Sequence, residues 1–175
     1  MRDDGQDRLS LSITLGDSVD EYAGVKDRVK EHEGFRLNPY TLKYDDVNGK
    51  SIVEKHQTGG YGHKILPGED IPTTQEGWEE VFETDFNNAL EGSYRIFPKQ
   101  NGVDYLPSTV RGIAVEMVFQ LGTTGFKRFK KTIEHINEER YEDAGFELCD
   151  SKWAEQTPGR AVKLCEMLRK VRNQL

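Results

Sequence analysis

Cysteine and long apolar runs are what this sequence most clearly lacks. Its only two cysteines among 175 residues, Cys149 and Cys165, do not have metal-ligand spacing, so we expect free structural thiols. No apolar run approaches the length of a membrane span. Residues 1–7 show no signal-peptide pattern. These absences disfavour a metal site, a transmembrane segment and a cleaved leader.

Positive charge is also scarce relative to negative charge. The chain has 24 Lys and Arg residues against 31 Asp and Glu residues, which gives a net charge of −7. This balance argues against nucleic acid or an anionic membrane surface as the main partner. With 35% hydrophobic and 31% charged residues, the composition is that of a soluble globular protein, and the length suits one domain with two lobes.

The sequence divides into an N-terminal arm and an α+β domain. Residues 1–16 are polar and irregular, and we interpret them as a flexible arm or a tether. Residues 17–33 have a helical pattern, whereas residues 36–62 read as strands around an Asn48-Gly49 turn, which predicts a hairpin. Further helices are predicted at about 73–96, 107–121, 126–137, 139–150 and 157–172, with Thr73 and Thr157 as the caps of the first and the last.

Glu33 is the most informative residue of the first helix. It continues the apolar stripe of Tyr22, Val25 and Val29 at the next i+4 step, so its carboxylate faces the buried side. Gly34 ends the helix there, at the negative end of the helix dipole. Burial and the dipole both favour a carboxyl group that keeps its proton, which suits a general acid. A solvated glutamate at a frayed terminus is the alternative.

Four blocks of the sequence follow one another as in a known family. They are His32-Glu33-Gly34-Phe35-Arg36-Leu37, Thr58-Gly59-Gly60-Tyr61-Gly62-His63, Met117-Val118-Phe119-Gln120-Leu121-Gly122 and Trp153-Ala154-Glu155-Gln156-Thr157-Pro158-Gly159-Arg160-Ala161. With them the chain resembles the T-even-phage-type lysozymes, which are glycoside hydrolases. The resemblance implies an α+β, lysozyme-like domain at residues 17–175. A small antiparallel β-hairpin lobe and a helical bundle lobe would be joined by a long helix, with the active-site cleft between them.

The resemblance also implies an activity and a set of site residues. The activity is hydrolysis of the β-1,4 bond between N-acetylmuramic acid and N-acetylglucosamine in bacterial peptidoglycan, without a cofactor. Glu33 matches the family's general acid, Thr58 a residue that helps hold the attacking water, and Arg160 an arginine that reaches the acid. The other matches are a structural pair, His63 and Asp85, and three substrate-binding positions that line the cleft, Phe119, Gln120 and Thr132.

The family's second carboxylate is missing from its usual place. It is normally an aspartate nine residues after the glutamate, where this chain has Leu42. We assume that Tyr40 stays opposite Thr58, as in the family. The register then pairs Leu42 with His56, Tyr44 with Glu54, and Asp46 with Ile52.

Three residues on the face of Thr58 are candidates for the missing catalytic member. His56 would lie directly across from Leu42, Glu54 about 7 Å from that point and Asp46 about 13 Å from it. This ranks His56 first, Glu54 second and Asp46 third. A histidine base, or a remote one, predicts direct attack by water and inversion at the anomeric carbon.

We therefore expect an active muramidase, either a phage lysis enzyme or a virion-associated lysozyme. Its partners would be peptidoglycan and a holin for release or a virion component, and we expect a monomer. Without a signal peptide, it would stay in the host cytoplasm until release to the periplasm and cell wall, or be carried in the virion. Two alternatives stay open: a lytic transglycosylase, and a wall-binding module that has lost catalysis.

Overall fold

The computed structural model describes residues 20–46 and 48–172, so the predicted arm at residues 1–16 lies outside it. Seven α-helices and a three-stranded antiparallel sheet fill the described part, which confirms the α+β class. No helix in these ranges is long and apolar enough to cross a membrane. In chain order the elements are α1 (Ala23–Glu33), β1 (Arg36–Asp45), β2 (Ser51–Gly60), β3 (His63–Lys64), α2 (Gln75–Ile96), α3 (Ser108–Phe126), α4 (Lys130–Asn137), α5 (Tyr141–Cys149), α6 (Lys152–Gln156) and α7 (Pro158–Lys170).

The sheet is a long hairpin with a short third strand. β1 and β3 pair with opposite edges of β2, both antiparallel. The turn lies where Asn48-Gly49 predicts it. The Asp46 carboxylate accepts hydrogen bonds from the backbone N–H groups of Asn48 and Lys50 at 2.8 and 2.9 Å. Gly49 has a φ of 75°, which a glycine adopts without steric cost.

The hairpin register agrees with the prediction at its base and departs from it towards the tip. Tyr40 pairs with Thr58, as expected, but Tyr44 pairs with Ile52. An irregularity around Leu42 shifts the register by two residues, so the predicted pairs of Tyr44 with Glu54 and of Asp46 with Ile52 are wrong, and Leu42 has no regular partner. The sequence does not reveal this shift, because moving a strand by two residues leaves every side chain on its own face.

Helix α2 supports the sheet lobe. Trp78, on its buried face, is 1% exposed, and its indole N–H donates a hydrogen bond to the Leu37 carbonyl at 2.9 Å. A Cβ on Gly59 or on Gly60 would lie 2.5 Å from the Trp78 ring. The adjacent glycines of the Thr58–His63 block are therefore needed so that the sheet can lie directly on the tryptophan.

Two helix caps differ from their predictions. The N-cap of α2 is Thr74 rather than Thr73. The Thr74 hydroxyl accepts a hydrogen bond from the Gly77 N–H at 3.1 Å. Thr157 does precede α7, but its hydroxyl donates to the Trp153 carbonyl of the short helix α6 and does not cap α7. Both threonines lie in runs of polar residues in which sequence alone does not distinguish neighbouring cap positions.

Helix α3 forms the centre of the helical lobe. Every residue from 110 to 118 is buried, including Arg111, which is 1% exposed. The Arg111 guanidinium is satisfied by two hydrogen bonds of 2.8 Å to the Asp104 carboxylate. Gly122 interrupts the helical dihedrals with a φ of 69°, as predicted, but helical structure resumes and continues to Phe126.

The two cysteines form a disulfide, so the prediction of free thiols is wrong. Cys149 ends α5, and Cys165 lies within α7, with the two Cα atoms 5.9 Å apart. The helices approach closely at Gly145, where a Cβ would lie 2.8 Å from the Cys165 carbonyl oxygen. The pairing depends on this tertiary contact, which the spacing of the two residues in the sequence does not indicate.

Candidate active site

Glu33 is the last residue of α1, on the face that packs inward. Val25 and Val29, which precede it on that face, are 9% and 2% exposed, whereas the Glu33 side chain keeps 22% exposure. Gly34 follows with a φ of 69° and ends the helix, as predicted. The carboxylate is therefore held at a fixed point, mostly buried but still reachable from solvent.

Arg160 brings the helical lobe to Glu33. Pro158 begins α7, where its fixed φ suits the first helical position, and this places Arg160 in the first turn. The Arg160 Nη2 donates a hydrogen bond to Glu33 Oε1 at 2.7 Å, and the arginine side chain is only 9% exposed. The contact expected from the resemblance is present. It joins α1 to α7 through two residues that are 127 positions apart in the chain.

Gly62 approaches the other oxygen of the same carboxylate. It lies in the tight turn between β2 and β3 with a φ of 79°, and a Cβ there would be 2.9 Å from Glu33 Oε2. The missing side chain thus lets the sheet lobe lie against the carboxylate. The sequence shows Gly62 in a glycine-rich block, but it does not indicate which residue Gly62 approaches.

A buried polar cluster lies behind the Glu33–Arg160 contact, between α1 and α3. Arg28 donates a hydrogen bond to Glu116 Oε1 at 2.8 Å, and Glu116 is 2% exposed. Burial raises the pKa of Glu116, although Arg28 partly opposes this. Burial, aided by the Arg160 charge, lowers the pKa of His32. The cluster was not predicted, and a glutamate inside the apolar stripe of α3 was its one signal in the sequence.

One contact in this cluster is incomplete. His32 Nδ1 and Glu116 Oε2 are 3.9 Å apart, which is too far for a hydrogen bond, and neither atom has another partner among the described residues.

Thr58 lies on the face of the sheet that points away from α2. Its neighbour Gly59 faces Trp78 of α2, so alternation directs the Thr58 side chain to the other face. Thr58 is 6% exposed and pairs with Tyr40 across the hairpin. A hydroxyl in this position has the chemistry to hold a water molecule, and that role stays a prediction.

The Glu54 carboxylate and the His56 imidazole contact each other on the same face as Thr58. Glu54 Oε2 and His56 Nε2 are 2.8 Å apart, and the two side chains keep 25% and 28% exposure. The register shift brings both residues across from Leu42, so the distance that ranked Glu54 behind His56 no longer applies, and the catalytic roles of both stay predictions. Asp46 lies at the hairpin turn, where its carboxylate accepts hydrogen bonds from backbone N–H groups, and a catalytic role for it stays a prediction.

His63 links the sheet lobe to α2, as expected, and has a second acidic partner. Its Nδ1 is 2.7 Å from Asp85 Oδ2, and its Nε2 is 2.9 Å from Glu69 Oε1. Burial alone would lower the pKa of His63, but the hydrogen bonds to Asp85 and then Glu69 outweigh it, so the pKa is raised. Within residues 20–46 and 48–172, no group of three or more His, Cys, Asp or Glu side chains has the geometry to hold a metal ion.

A cavity of about 530 Å³ lies between the sheet lobe and the helical lobe. Residues 62–64 line it from the sheet, and Phe119 and Gln120 line it from α3. Thr132 does not join them, because it is 2% exposed and lines a separate cavity of about 540 Å³ beside Trp153. The Trp153 indole N–H donates to Gln120 Oε1 at 2.9 Å and so connects the walls of the two cavities. The substrate-binding roles of Phe119, Gln120 and Thr132 stay predictions.

Comparison with known proteins decides the family. A model of the family described as phage lysozyme matches residues 30–173. This chain belongs to the phage lysozyme family. Its relatives include "Probable T4-type lysozyme 2" from Dictyostelium discoideum, 28% identical over 164 residues that cover 81% of this chain and 91% of the relative. A second, "Probable T4-type lysozyme 1" from the same organism, is 26% identical over 161 residues that cover 83% of this chain and 94% of the relative.

Membership of the phage lysozyme family supports two of the expectations from the sequence. It supports the lysozyme-like fold, and it supports a lysozyme-like peptidoglycan hydrolase, which is a glycosidase. Both relatives named above come from Dictyostelium, and they lend no support to a phage, virion or holin connection, which stays a prediction.

Proposed function

We propose that this member of the phage lysozyme family hydrolyses the β-1,4 bond between N-acetylmuramic acid and N-acetylglucosamine in bacterial peptidoglycan. The observation that carries the proposal is the placement of Glu33. Arg160 of the helical lobe binds one oxygen of its carboxylate, and Gly62 of the sheet lobe approaches the other. An acid held where two lobes meet can protonate the glycosidic oxygen of a chain lying between them.

The proposed reaction uses one proton donor and one water molecule. Protonated Glu33 gives its proton to the leaving oxygen as the glycosidic bond breaks. A water molecule held near Thr58 attacks the anomeric carbon and loses its proton to a base. We assign that base to His56, whose Nε2 contacts the Glu54 carboxylate, because this contact fixes the orientation of the imidazole.

A second function is favoured by one observation, the leucine at position 42. A lytic transglycosylase needs one glutamate and no second carboxylate, because the sugar's own hydroxyl attacks and forms a 1,6-anhydro ring. Leu42 is compatible with such an enzyme. The His56–Glu54 pair favours hydrolysis, since it supplies a base that a transglycosylase does not require.

Mass spectrometry of digested peptidoglycan distinguishes the candidate functions. Purified sacculi are incubated with the protein, and the soluble muropeptides are weighed with and without prior chemical reduction. Hydrolysis adds one water to each cleaved bond and leaves a reducible end, which is the expected result. Anhydro products that resist reduction would replace the proposal with transglycosylase activity, and binding without cleavage would replace it with a wall-binding module.

The disulfide bears on where this activity takes place. Disulfides persist in oxidising compartments and are rare in reducing cytoplasm, so we propose that the folded enzyme acts outside a reducing cytoplasm. This departs from the expected cytoplasmic stage before release. The monomeric state and release through a holin or in a virion stay predictions.

A further inference from the structure

The hairpin extends well beyond the residues that the proposed reaction uses. Thr58 and Tyr40 lie opposite each other near its base, whereas β1 continues to Asp45 and β2 begins at Ser51. At about 3.3 Å per residue, β1 rises roughly 13 Å from Tyr40 to Tyr44. The structure therefore provides an additional stretch of sheet beyond Thr58, the residue proposed to hold the attacking water.

The face that this extension shares with Thr58 carries a mixture of aromatic, apolar and polar groups. Tyr44 and Ile52 are paired beyond the register shift, and Glu54 and His56 lie between them and Thr58. Along β2, Ile52, Glu54 and His56 on this face are more buried than Val53 and Lys55 on the other face. The alternation of side chains between the two faces therefore persists through the register shift. The face is continuous from Thr58 to the region of the tip.

Tyr44 is the exposed aromatic group of this face. Its side chain is 52% exposed, although a tyrosine ring has a large apolar surface that favours contact. Arg36 already covers the Tyr40 ring nearer the base, with its guanidinium carbon 4.5 Å from the ring centroid. Tyr44 therefore offers a flat ring surface on the face of the hairpin that also carries Thr58.

We propose that the part of this face beyond His56 and Glu54, made of the paired Tyr44 and Ile52, is a distal subsite for the same glycan chain. The ligand is an oligosaccharide of N-acetylhexosamines whose one end lies at Glu33. A sugar ring presents C–H groups that pack on an aromatic ring such as that of Tyr44, and its N-acetyl methyl group can contact an apolar side chain such as that of Ile52. The inference rests on the proposed function, because continuity with the reaction site is what selects a glycan as the occupant.

The test measures binding as a function of chain length. All variants are made in a Glu33→Gln background so that the ligand is not cleaved, and calorimetry measures their affinity for N-acetylglucosamine trimers and hexamers. Tyr44→Ala should weaken hexamer binding by up to about tenfold and leave trimer binding unchanged, since one stacking contact is lost. Val53→Ala is the matched control, because Val53 is also 52% exposed but lies on the opposite face of the hairpin.

The outcomes separate this inference from the proposed function. Equal hexamer affinity in the Tyr44→Ala and Val53→Ala variants would overturn the subsite, as would a parent protein that binds both lengths equally. Weaker binding of both lengths in the Tyr44→Ala variant would also overturn it, since that result indicates a damaged hairpin. The proposed function has its own test: it would be overturned if the protein with Glu33 intact released no fragments from sacculi.

Discussion

The two carboxylate oxygens of Glu33 have different surroundings. Oε1 accepts the hydrogen bond from Arg160, and Oε2 lies against Gly62. The helical pattern that ends at Gly34 singles out the acid, whereas the arginine was expected from the resemblance. The sequence could not predict the role of Gly62, because the lack of a side chain gives no indication of which atoms occupy the space.

Replacing Gly62 tests how closely the sheet lobe must approach the acid. Gly62→Ala should lower activity by about a hundredfold, because the new methyl group displaces Oε2 from its position. Gly68→Ala is the matched control: Gly68 has a φ of 80°, close to the 79° of Gly62, but has open space around it. Both variants should lose similar stability, on the order of 1 kcal/mol, from backbone strain. Equal activity of the two variants would contradict this role for Gly62.

The His56–Glu54 pair makes a stereochemical prediction. If His56 activates a water molecule that attacks directly, the first product is the inverted α-anomer, and NMR spectra recorded during the first turnovers should show it before mutarotation. His56→Ala should lower kcat by about a hundredfold, whereas Lys55→Ala, one residue away on the other face, should have little effect. The β-anomer as first product would rule out this assignment.

At the scale of the elements, the hairpin shows what local signals can and cannot specify. Asn48-Gly49 locates the turn, whereas the pairing of Tyr40 with Thr58 at the base was taken from the resemblance and is observed. The irregularity at Leu42 depends on how the two strands fit together, so no local pattern predicts it. Its consequence for the site is substantial, because it places Glu54 beside His56.

The disulfide between α5 and α7 is a second feature that depends on packing. It closes a loop between residues 16 apart in sequence, and a loop of this size is typically stabilised by about 3 kcal/mol. Reduction should therefore lower the free energy of unfolding in urea by about that amount. A Cys149→Ser, Cys165→Ser double variant should show the lower stability with or without reductant. Unchanged stability of the native chain after complete reduction would contradict the prediction.

At the scale of the whole molecule, contacts between distant segments hold the site together. Arg160 reaches Glu33 from α7, Arg28 of α1 reaches Glu116 of α3, and the first of these contacts was predicted from the resemblance. Local patterns predict most of the helices of the helical lobe, because apolar spacing and proline mark them. The Arg28–Glu116 contact was not predicted, because a charged pair buried between two helices is visible only once the helices are packed.

The link between the sheet lobe and α2 predicts a pH-dependent stability. The pKa of His63 is raised in the folded protein, so folding is favoured by its protonated form. That contribution is fully present below the ordinary histidine pKa of about 6.5 and is lost as pH rises through the raised value. Urea unfolding from pH 6 upwards should show this loss in the native chain and in His56→Asn, but not in His63→Asn. A loss of the same size in His63→Asn would show that another group is responsible.

The central claim is that Glu33 is the proton donor of a glycoside hydrolase. The most direct measurement compares Glu33→Gln with Glu31→Gln in the release of reducing ends from purified peptidoglycan. Glu31 lies on the same helix, is 69% exposed and pairs with Lys163, so its variant controls for the loss of a nearby negative charge. Glu33→Gln should reduce the rate by at least about a hundredfold, while Glu31→Gln should remain close to the native rate. Comparable activity of the two variants would contradict the assignment of Glu33 as the general acid.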